Sequence, residues 1–448
     1  MQERVNIALP VAVKDILTKI HQAGWEAYAV GGCVRDSLLG RQPQDWDITT
    51  SALPAQIKGL FARTIDTGIV HGTVTVMVDH VGYEVTTYRI DGEYEDGRHP
   101  KEVSFTASLL EDLKRRDFTI NAMAYNEEEG LIDAFDGMGD MQRKIIRCVG
   151  EARCRFEEDA LRMMRAVRFS AQLGYEIEEE TTQAIKALAP TLRKVSAERI
   201  QMELVKLLTS DHPDYLRKAF ETGLTAVFFP EFDEAMKTPQ NHPHHCYCVG
   251  EHILHSLTHI NPERVLRLTM LFHDIGKPPT RRRDEAGIDH FYGHSTVGER
   301  MAKEIMKRLR MDNATIEKVC ILVKYHDLRP EPAKRAVKRA VVKVSRELFG
   351  LFLQVQQADL LAQGNYLREE KQKTLNRVKQ IYEEILEEGD CLTLKELALS
   401  GKDLLEAGMK PGKAMGDTLK RLLEHVLENP QDNKKEILLK LAEQWKEN

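Results

Sequence analysis

The first third of the chain alternates short apolar runs with polar turns, a pattern typical of a small sheet packed on helices. Apolar residues recur at helical spacing before about residue 25, and the run Ala-Tyr-Ala-Val at 27–30 predicts a buried strand. Residues 73–78 and 83–88 alternate and are rich in β-branched side chains. They predict a hairpin with Val81 and Gly82 in its turn.

From about residue 145 onward, the apolar positions follow the period of a helix, and prolines interrupt them at intervals. The change predicts an α+β N-terminal head followed by a long all-α remainder. We expect residues 1–146 to form the head, 147–235 a helical neck, 236–375 a second helical domain and 376–448 a helical tail.

The composition is that of an ordinary globular protein of several domains: 448 residues, 42% hydrophobic and 30% charged. No apolar run approaches membrane-spanning length and the first residues lack a signal-peptide core, so we expect a cytoplasmic protein without membrane binding. Seven irregularly spaced cysteines fit reduced thiols. The net charge of -6 argues against indiscriminate binding of polyanions, although local basic patches can still contact nucleic acid.

A glycine pair, Gly31-Gly32, ends the first predicted strand, where it allows the backbone to approach a phosphate closely. Asp45 and Asp47 follow, and on a strand both carboxylates would leave the same face. Paired oxygen ligands beside such a turn suit Mg²⁺ carrying a nucleoside triphosphate. Glu84, on the predicted hairpin, is a candidate third carboxylate. A glycine turn with solvated acids is the alternative.

Polar residues are unusually dense in the segment 115–124 (Arg-Arg-Asp-Phe-Thr-Ile-Asn-Ala-Met-Ala). Arg116, Asp117 and Asn121 lie there at helical spacing within an otherwise apolar run, which is uncommon for a purely structural helix. Their charges and hydrogen-bonding groups could hold a ribose and a triphosphate.

Asp159 and Arg162 lie at positions i and i+3 of a predicted helix, side by side on one face. A carboxylate only accepts hydrogen bonds and a guanidinium only donates them. Such a pair matches an amino group beside a bare ring nitrogen, which cytosine and adenine present and uracil and guanine do not. The alternative is a plain helical ion pair.

These motifs together resemble the class II tRNA nucleotidyltransferases, the CCA-adding enzymes, whose head is of the polymerase beta-like nucleotidyltransferase type. The resemblance covers about residues 25–210 and includes Asp136-Gly137 and Ser196-Ala197-Glu198-Arg199-Ile200. It implies addition of CCA to the 3′ end of tRNA from CTP and ATP, with Mg²⁺ as cofactor and contacts to the acceptor and T arms.

The resemblance also implies a role for each site residue. Asp45 and Asp47 are the catalytic metal-binding acids, and residues 196–200 steady the helix that reads the base. Glu84 is a catalytic candidate from its place on the predicted hairpin and not from the resemblance. Arg165 is a phosphate contact. The full set of predicted nucleotide-binding residues is Gly31, Gly32, Arg35, Arg116, Asp117, Asn121, Asp159, Arg162, Arg165 and Arg168.

Bacterial poly(A) polymerases share this head, so the subfamily is a separate question. Residues 67–74 (Thr-Gly-Ile-Val-His-Gly-Thr-Val) resemble the CCA-adding version. A polar loop around Asp96-Gly97-Arg98 resembles an element that CCA-adding and A-adding enzymes retain. It disfavours addition of CC alone and leaves an A-only enzyme open.

Histidines are concentrated in the second helical domain, where nine of the sixteen fall between His242 and His294. A mixed set of nitrogen and oxygen donors suits one or two divalent metals. The candidate ligands, in chain order, are His252, His273, Asp274, His294, His326 and Asp359.

This order of ligands, with the segment Leu-Phe-His-Asp-Ile-Gly-Lys at 271–277, resembles the HD superfamily of metal-dependent phosphohydrolases. It implies an accessory phosphatase or cyclic phosphodiesterase that uses Mn, Ni, Fe or Co. A helical scaffold without turnover is the alternative, and an RNA-binding phosphohydrolase whose head only grips tRNA is a further one.

The tail contains a predicted helix, glycine-proline turn and helix over residues 402–423. Lys410 and Lys413 lie at the start of the second helix, where backbone N–H groups also favour a phosphate. We expect a contact with the tRNA backbone. A well-capped helical hairpin without that role is the alternative.

Overall fold

The computed structural model describes residues 5–92, 103–241 and 246–445. The chain divides between Pro230 and Glu231 into two compact units. The finer division into four segments stays a prediction. The predicted loop at Asp96-Gly97-Arg98 lies outside the described residues.

The first unit is built on a seven-stranded sheet in the order β3-β4-β5-β2-β1-β8-β9. Within it β2 and β5 are parallel and the other neighbouring strands are antiparallel. The strands of this unit are β1 (Ala27–Val30), β2 (Ile48–Thr50), β3 (Thr64–Gly68), β4 (Thr73–Val78), β5 (Val81–Thr87), β6 (Arg89–Asp91), β7 (Val103–Phe105), β8 (Met123–Asn126), β9 (Gly130–Asp133), β10 (Ile145–Ile146) and β11 (Glu176–Ile177).

Strand β1 lies inside the sheet, between β2 and β8, and all four of its residues are buried. Tyr28 and Val30 belong to a small core with Tyr88, Leu113 and Ala124. Burial on both faces explains why this strand is a continuous apolar run rather than an alternating one. The predicted first strand is confirmed.

The hairpin β4–β5 is also confirmed, but its predicted turn is wrong. Asp79 and His80 form the turn, with φ angles of 48° and 66°, and Val81 and Gly82 already belong to β5. Two consecutive left-handed residues match the twist of a two-residue hairpin turn. Neither is glycine, so the usual sequence signal is absent.

The helices of the first unit cover the sheet and continue beyond it. In α1 the buried residues are Val13, Ile16, Leu17 and Ile20, as the spacing predicts, whereas Val11 is exposed. The helices are α1 (Val11–Gln22), α2 (Gly32–Leu38), α3 (Pro54–Leu60), α4 (Leu109–Lys114), α5 (Gly137–Arg143), α6 (Ala152–Glu158), α7 (Leu161–Leu173), α8 (Glu179–Leu188), α9 (Ala197–Leu208), α10 (Leu216–Glu221) and α11 (Thr225–Phe228).

In its described residues, the second unit contains helices and one short pair of strands, β12 (Arg282–Arg283) and β13 (Asp289–His290). The predicted hairpin at 402–423 is confirmed as α21 and α22. The helices are α12 (Pro230–Lys237), α13 (Val249–Thr258), α14 (Arg264–Phe272), α15 (Lys277–Thr280), α16 (His294–Arg308), α17 (Asn313–Tyr325), α18 (Lys334–Val344), α19 (Arg346–Ala362), α20 (Arg368–Glu387), α21 (Gly401–Glu406), α22 (Lys413–Glu428) and α23 (Lys435–Gln444).

One large apolar core joins α18 to α23 in this unit. Val341, Phe349 and Phe352 pack with Ile385 and Leu422 in the same cluster. Aromatic and branched side chains of this size contribute about 1.5–3 kcal/mol each when fully buried. None of the helices just given combines the length and the apolarity needed to cross a lipid bilayer.

Gly276 precedes α15 and lies close to the backbone of α16. A Cβ atom at this position would lie 2.2 Å from the carbonyl oxygen of His294 and 2.5 Å from the backbone nitrogen of Gly298. Both contacts are to the backbone of α16, which cannot rotate away. Glycine here therefore sets the distance between α15 and α16.

We predict that Gly276→Ala lowers the free energy of unfolding of this unit by about 1–3 kcal/mol, because α16 must shift to admit the methyl group. Gly350→Ala is the matched control, since Gly350 lies inside α19 with open space around its Cα. It should stabilise by up to about 1 kcal/mol. Urea unfolding followed by circular dichroism measures both, and a Gly276→Ala protein as stable as wild type would contradict the packing argument.

Candidate functional site

Asp45 and Asp47 lie in an irregular segment just before β2, and not on a strand as predicted. The backbone of Asp47 is nevertheless fixed, because the N–H of Val30 donates to its carbonyl oxygen at 2.9 Å. Both aspartates line a cleft of about 610 Å³ together with Gly32 and Arg35. The structure therefore brings the acids and the glycine turn to one cavity.

Glu84 lies on β5, next to β2, and its carboxylate interacts electrostatically with those of Asp45 and Asp47. Burial raises the pKa of Glu84, and the charges of Asp47 and Asp45 raise it further. Burial likewise raises the pKa of Asp47, which Arg116 partly offsets and Asp45 reinforces. Three carboxylates near one another, two of them with a raised pKa, form a site that a divalent cation with oxygen preference would stabilise.

The glycine pair opens α2 and brings an arginine close to the backbone. Gly31 has a φ of 84°, which favours glycine, and a Cβ atom there would lie 3.1 Å from Nη1 of Arg116. A larger residue would push this guanidinium away from Asp47, whose carboxylate it stabilises. The close approach at Gly31 in the structure is to an arginine, and the approach of this backbone to a phosphate stays a prediction.

A chain of hydrogen bonds connects α2 to α7. Nη1 of Arg35 donates to Oδ1 of Asn121 at 2.6 Å, and Nδ2 of Asn121 donates to Oδ1 of Asp117 at 3.2 Å. Nε of Arg165 donates to the other oxygen of Asp117 at 2.7 Å. Burial alone would raise the pKa of Asp117, but Arg165 outweighs it and lowers the pKa to about 2.

The predicted helical spacing of Arg116, Asp117 and Asn121 is wrong. Helix α4 ends at Lys114, and only a single 3₁₀ turn follows, over Thr119–Asn121. The polar side chains converge through this tight turn instead. The residues are brought together as predicted, by a different backbone path.

Asp112 is a buried anchor of this segment that the sequence analysis missed. Its Oδ1 accepts from Nη2 of Arg115 at 2.7 Å, and its Oδ2 lies 3.4 Å from Nη2 of Arg116. Oγ1 of Thr49, on β2, donates to it at 3.1 Å. An acid three and four residues before two arginines was the available signal.

Asp159 and Arg162 do not share a helix face, which corrects the prediction. Helix α6 ends at Glu158 and α7 begins at Leu161, and Asp159 between them is extended, with φ −144° and ψ 104°. Both Asp159 oxygens accept from Arg199, at 2.7 and 3.3 Å. Arg162 donates to Glu158 at 2.5 Å. Asp159 and Arg162 therefore each have a separate partner.

Three arginines surround one aromatic ring beside the cleft. The guanidinium carbons of Arg168, Arg35 and Arg165 lie 3.6, 5.1 and 5.3 Å from the ring centre of Phe169. Arg168 also donates to Glu203 at 2.5 Å, a partner that the sequence analysis missed. Burial lowers the pKa of Arg168 to about 10, against the attraction of Glu203, so the group remains a cation at neutral pH.

A second site lies in the second unit, where His252, His273, His294 and His326 converge. Their ring nitrogens Nδ1 face the backbone carbonyl oxygens of Ala362, Met270, Phe291 and Val323, at 3.4, 2.8, 2.9 and 2.7 Å respectively. A proton held on Nδ1 in this way leaves a lone pair on Nε2. All four Nε2 atoms face the centre.

The Nε2 atoms meet in pairs. That of His252 lies 3.2 Å from that of His273, and that of His294 lies 3.3 Å from that of His326. Two lone pairs at this distance repel unless a proton or a metal cation lies between or beside them. The pairs therefore have the donor chemistry that two metal positions require.

Asp274 stands between the two pairs. Its Oδ2 lies 3.4 and 3.3 Å from Nε2 of His252 and His273, and its Oδ1 lies 3.6 Å from Nε2 of both His294 and His326. Asp274 thus belongs to both groups of candidate ligands. Its Oδ2 is buried and accepts no hydrogen bond of normal geometry from the described residues, although Nζ of Lys277 is 2.7 Å away.

Asp359 completes the predicted set. Its Oδ1 lies 3.1 Å from Nε2 of His252, and its Oδ2 accepts from Arg329 at 2.9 Å and from Gln363 at 3.1 Å. Burial would raise the pKa of Asp359, but His252 and Arg329 hold it well below its usual range. Arg329 and Gln363 were not predicted, because they lie outside the motif order. A cleft of about 350 Å³ gives access to this site.

Three known domain families match the chain. A poly A polymerase head domain matches residues 27–147, and a probable RNA and SrmB-binding site of polymerase A matches residues 174–236. A putative domain 2 of tRNA nucleotidyltransferases matches residues 285–442. The predicted polymerase beta-like head followed by a helical body is confirmed.

Proteins named CCA-adding enzyme resemble the chain over nearly its full length. That of Lactiplantibacillus plantarum is 38% identical over 442 residues, covering 96% of this chain and 95% of the relative. That of Enterococcus faecalis is 35% identical over 435 residues, covering 95% and 94%.

Solved structures give the same result. The crystal structure of the Bacillus stearothermophilus CCA-adding enzyme in complex with CTP is similar with a TM-score of 0.70 and 30% identity, over 97% of both chains. The Thermotoga maritima CCA-adding enzyme complexed with tRNA shares the fold, with a TM-score of 0.58 and 19% identity, over 99% of this chain and 97% of that one.

Proposed function

Because the chain belongs to the family of CCA-adding enzymes, which are tRNA nucleotidyltransferases, we propose that it builds the CCA end of tRNA from CTP and ATP. The observation that carries the proposal is the cleft beside the glycine turn, where Asp45 and Asp47 meet Arg35 and Arg168. Acids for a metal and arginines for a triphosphate lie in the same cavity.

In the proposed reaction, the 3′-hydroxyl of tRNA attacks the α-phosphate of the nucleotide, and pyrophosphate leaves. Asp45, Asp47 and Glu84 offer the oxygen donors that Mg²⁺ prefers, and bound Mg²⁺ would stabilise the entering and leaving oxygens. Arg35 and Arg165 are held by Asn121 and Asp117, so their positive charge is positioned before the nucleotide enters.

In this proposal, Asp159 and Arg162 select the base of the incoming nucleotide. Arg199 fixes the carboxylate of Asp159, and Glu158 fixes the guanidinium of Arg162. A carboxylate oxygen has more than one lone pair, so Asp159 can accept from an exocyclic amino group while it keeps Arg199. The pair can hydrogen-bond to cytosine and to adenine. The hydrogen-bonding groups of uracil and guanine do not match it.

The growth of a tRNA that lacks its 3′ end tests the proposal, with each nucleoside triphosphate given alone and in mixture. Growth by CCA supports it. Addition of A only after a preformed CC would identify an A-only enzyme, and a long A tail a poly(A) polymerase. Absence of growth would favour the RNA-binding phosphohydrolase.

We predict that Asp45→Asn and Asp47→Asn each abolish incorporation of CTP and leave the unit folded. Folding survives because removing one of several mutually repelling carboxylates relieves the folded state. Labelled CTP measures incorporation and circular dichroism the fold. Asp66→Asn is the control, since Asp66 is an exposed acid paired with Lys58. Near-normal incorporation by either variant would refute the assignment.

We predict that Asp159→Ala raises the use of UTP and GTP relative to CTP by about tenfold or more, since loss of a bidentate reading group costs that much discrimination. Glu157→Ala, two residues away and paired at the surface with Arg153, should leave the ratio unchanged. Single-turnover incorporation with each triphosphate gives the ratio. Unchanged rejection of UTP and GTP would show that the base is read elsewhere.

A second activity is proposed for the centre at Asp274, namely hydrolysis of a phosphate ester with Mn, Ni, Fe or Co. The supporting observation is the two pairs of facing Nε2 atoms on either side of one shared carboxylate. Borderline divalent metals suit imidazole with carboxylate. Removing a terminal or cyclic phosphate would restore the free 3′-hydroxyl that nucleotide addition requires.

We predict that the full-length protein hydrolyses bis-p-nitrophenyl phosphate with Ni²⁺ or Mn²⁺ and that His273→Ala abolishes this activity, because one ligand of a buried set is lost. Incorporation of CTP should remain. His255→Ala is the control, since His255 lies one turn from His252 on α13 and stacks on Tyr247. If the wild-type protein does not hydrolyse the ester with either metal, the second unit is a helical scaffold without this activity.

A further inference from the structure

The segment that carries His294 begins with a rigid hairpin. β12 and β13 pair through residues 282–283 and 289–290. The side chain of Asp289, in β13, is buried. Arg281 and Arg283 each donate to Asp289 at 3.0 Å, and the backbone N–H of Asn241 donates to it at 2.9 Å. The residues that follow β13 therefore start from a fixed point.

Tyr292 follows β13 and is 75% exposed. Its ring is parallel to that of His290, at an angle of 4° with 5.4 Å between ring centres. His290 is held in turn by Asp284, with 2.8 Å between Nε2 and Oδ2. An aromatic ring with most of its surface uncovered can stack on a planar ligand group, and its place beside a cleft decides whether it has that role.

The aromatic pair stands at the metal-ligand cleft. Tyr292 and His290 line the same cavity as Asp274, His294 and His326. Only Gly293 separates Tyr292 from His294, so their Cα atoms are at most ~7 Å apart. The same short segment thus presents a candidate metal ligand and an open aromatic face.

We infer that Tyr292 is a stacking platform for the base of a nucleotide whose phosphate ester lies at the Asp274 centre. The inference rests on the hydrolysis proposed above. In that step water adds to phosphorus, the bond to one ribose oxygen breaks, and that oxygen takes up a proton to become a hydroxyl. The tyrosine takes no part in this step and fixes the base, so it is a positioning residue.

Stacking also defines the range of substrates. Every base has a π-face, so a stacking platform accepts all four bases. The first site, with Asp159 and Arg162, is proposed to accept only two. The second site would therefore act on a nucleoside phosphate whatever its base, which suits a phosphorylated RNA end of variable sequence.

The test compares two esters with the full-length protein and Mn²⁺: guanosine 2′,3′-cyclic phosphate, and the 2′,3′-cyclic phosphate of 1-O-methylribose, which lacks a base. Tyr292→Ser should raise KM for the guanosine ester on the order of tenfold and leave the base-free ester unchanged. Tyr292→Phe, which keeps the ring, should behave as wild type. Tyr366→Ser removes another exposed tyrosine of the same unit and should change neither value.

A binding measurement separates this inference from the proposed hydrolysis. Titration calorimetry with guanosine 2′-monophosphate and metal-free protein should show a Kd on the order of tenfold weaker in Tyr292→Ser. Guanosine is chosen because the first site is proposed to reject guanine.

Each outcome has a defined meaning. A wild type that hydrolyses neither ester overturns the proposed hydrolysis, while the calorimetry still tests the tyrosine. A wild type that hydrolyses both, with KM and Kd unchanged in Tyr292→Ser, overturns the platform. An equal rise of KM for both esters also overturns it, because the effect would not depend on a base.

Discussion

The ion pair between Asp117 and Arg165 joins the tight turn after α4 to the middle of α7. Asp117 is buried, and a buried carboxylate without a partner is strongly unfavourable, so the pair holds these two elements in one arrangement. Asn121 and Arg35 are aligned through the same carboxylate. The positive face of the first cleft is therefore fixed by one buried negative charge.

The sequence predicted several local features of the backbone and one ordered set of residue types that the structure brings together. The strand at 27–30, the glycine turn and the histidine set at Asp274 are examples, since apolar runs and ligand chemistry are visible locally. The structure brings the predicted histidines and aspartates into one cluster. Their order along the chain carried that information.

Two of the failures have a common physical origin in partners distant along the chain. Asp159 leaves the helix although no glycine or proline follows it, and it meets Arg199, forty residues later. Glu203 is thirty-five residues from Arg168. Local periodicity contains no information about such pairs. The turn at Asp79 was missed for another reason, since two non-glycine residues adopt a left-handed backbone there.

The hydrogen bonds of the histidines have a consequence for how the second centre is assembled. In His273, His294 and His326 the acceptor of the Nδ1 proton is the carbonyl oxygen three residues earlier in the same chain segment. Each ring is thus oriented by its own local turn, before distant helices contribute. These three side chains therefore lose their rotational entropy when their own turns form. Binding of a metal then costs little further side-chain entropy.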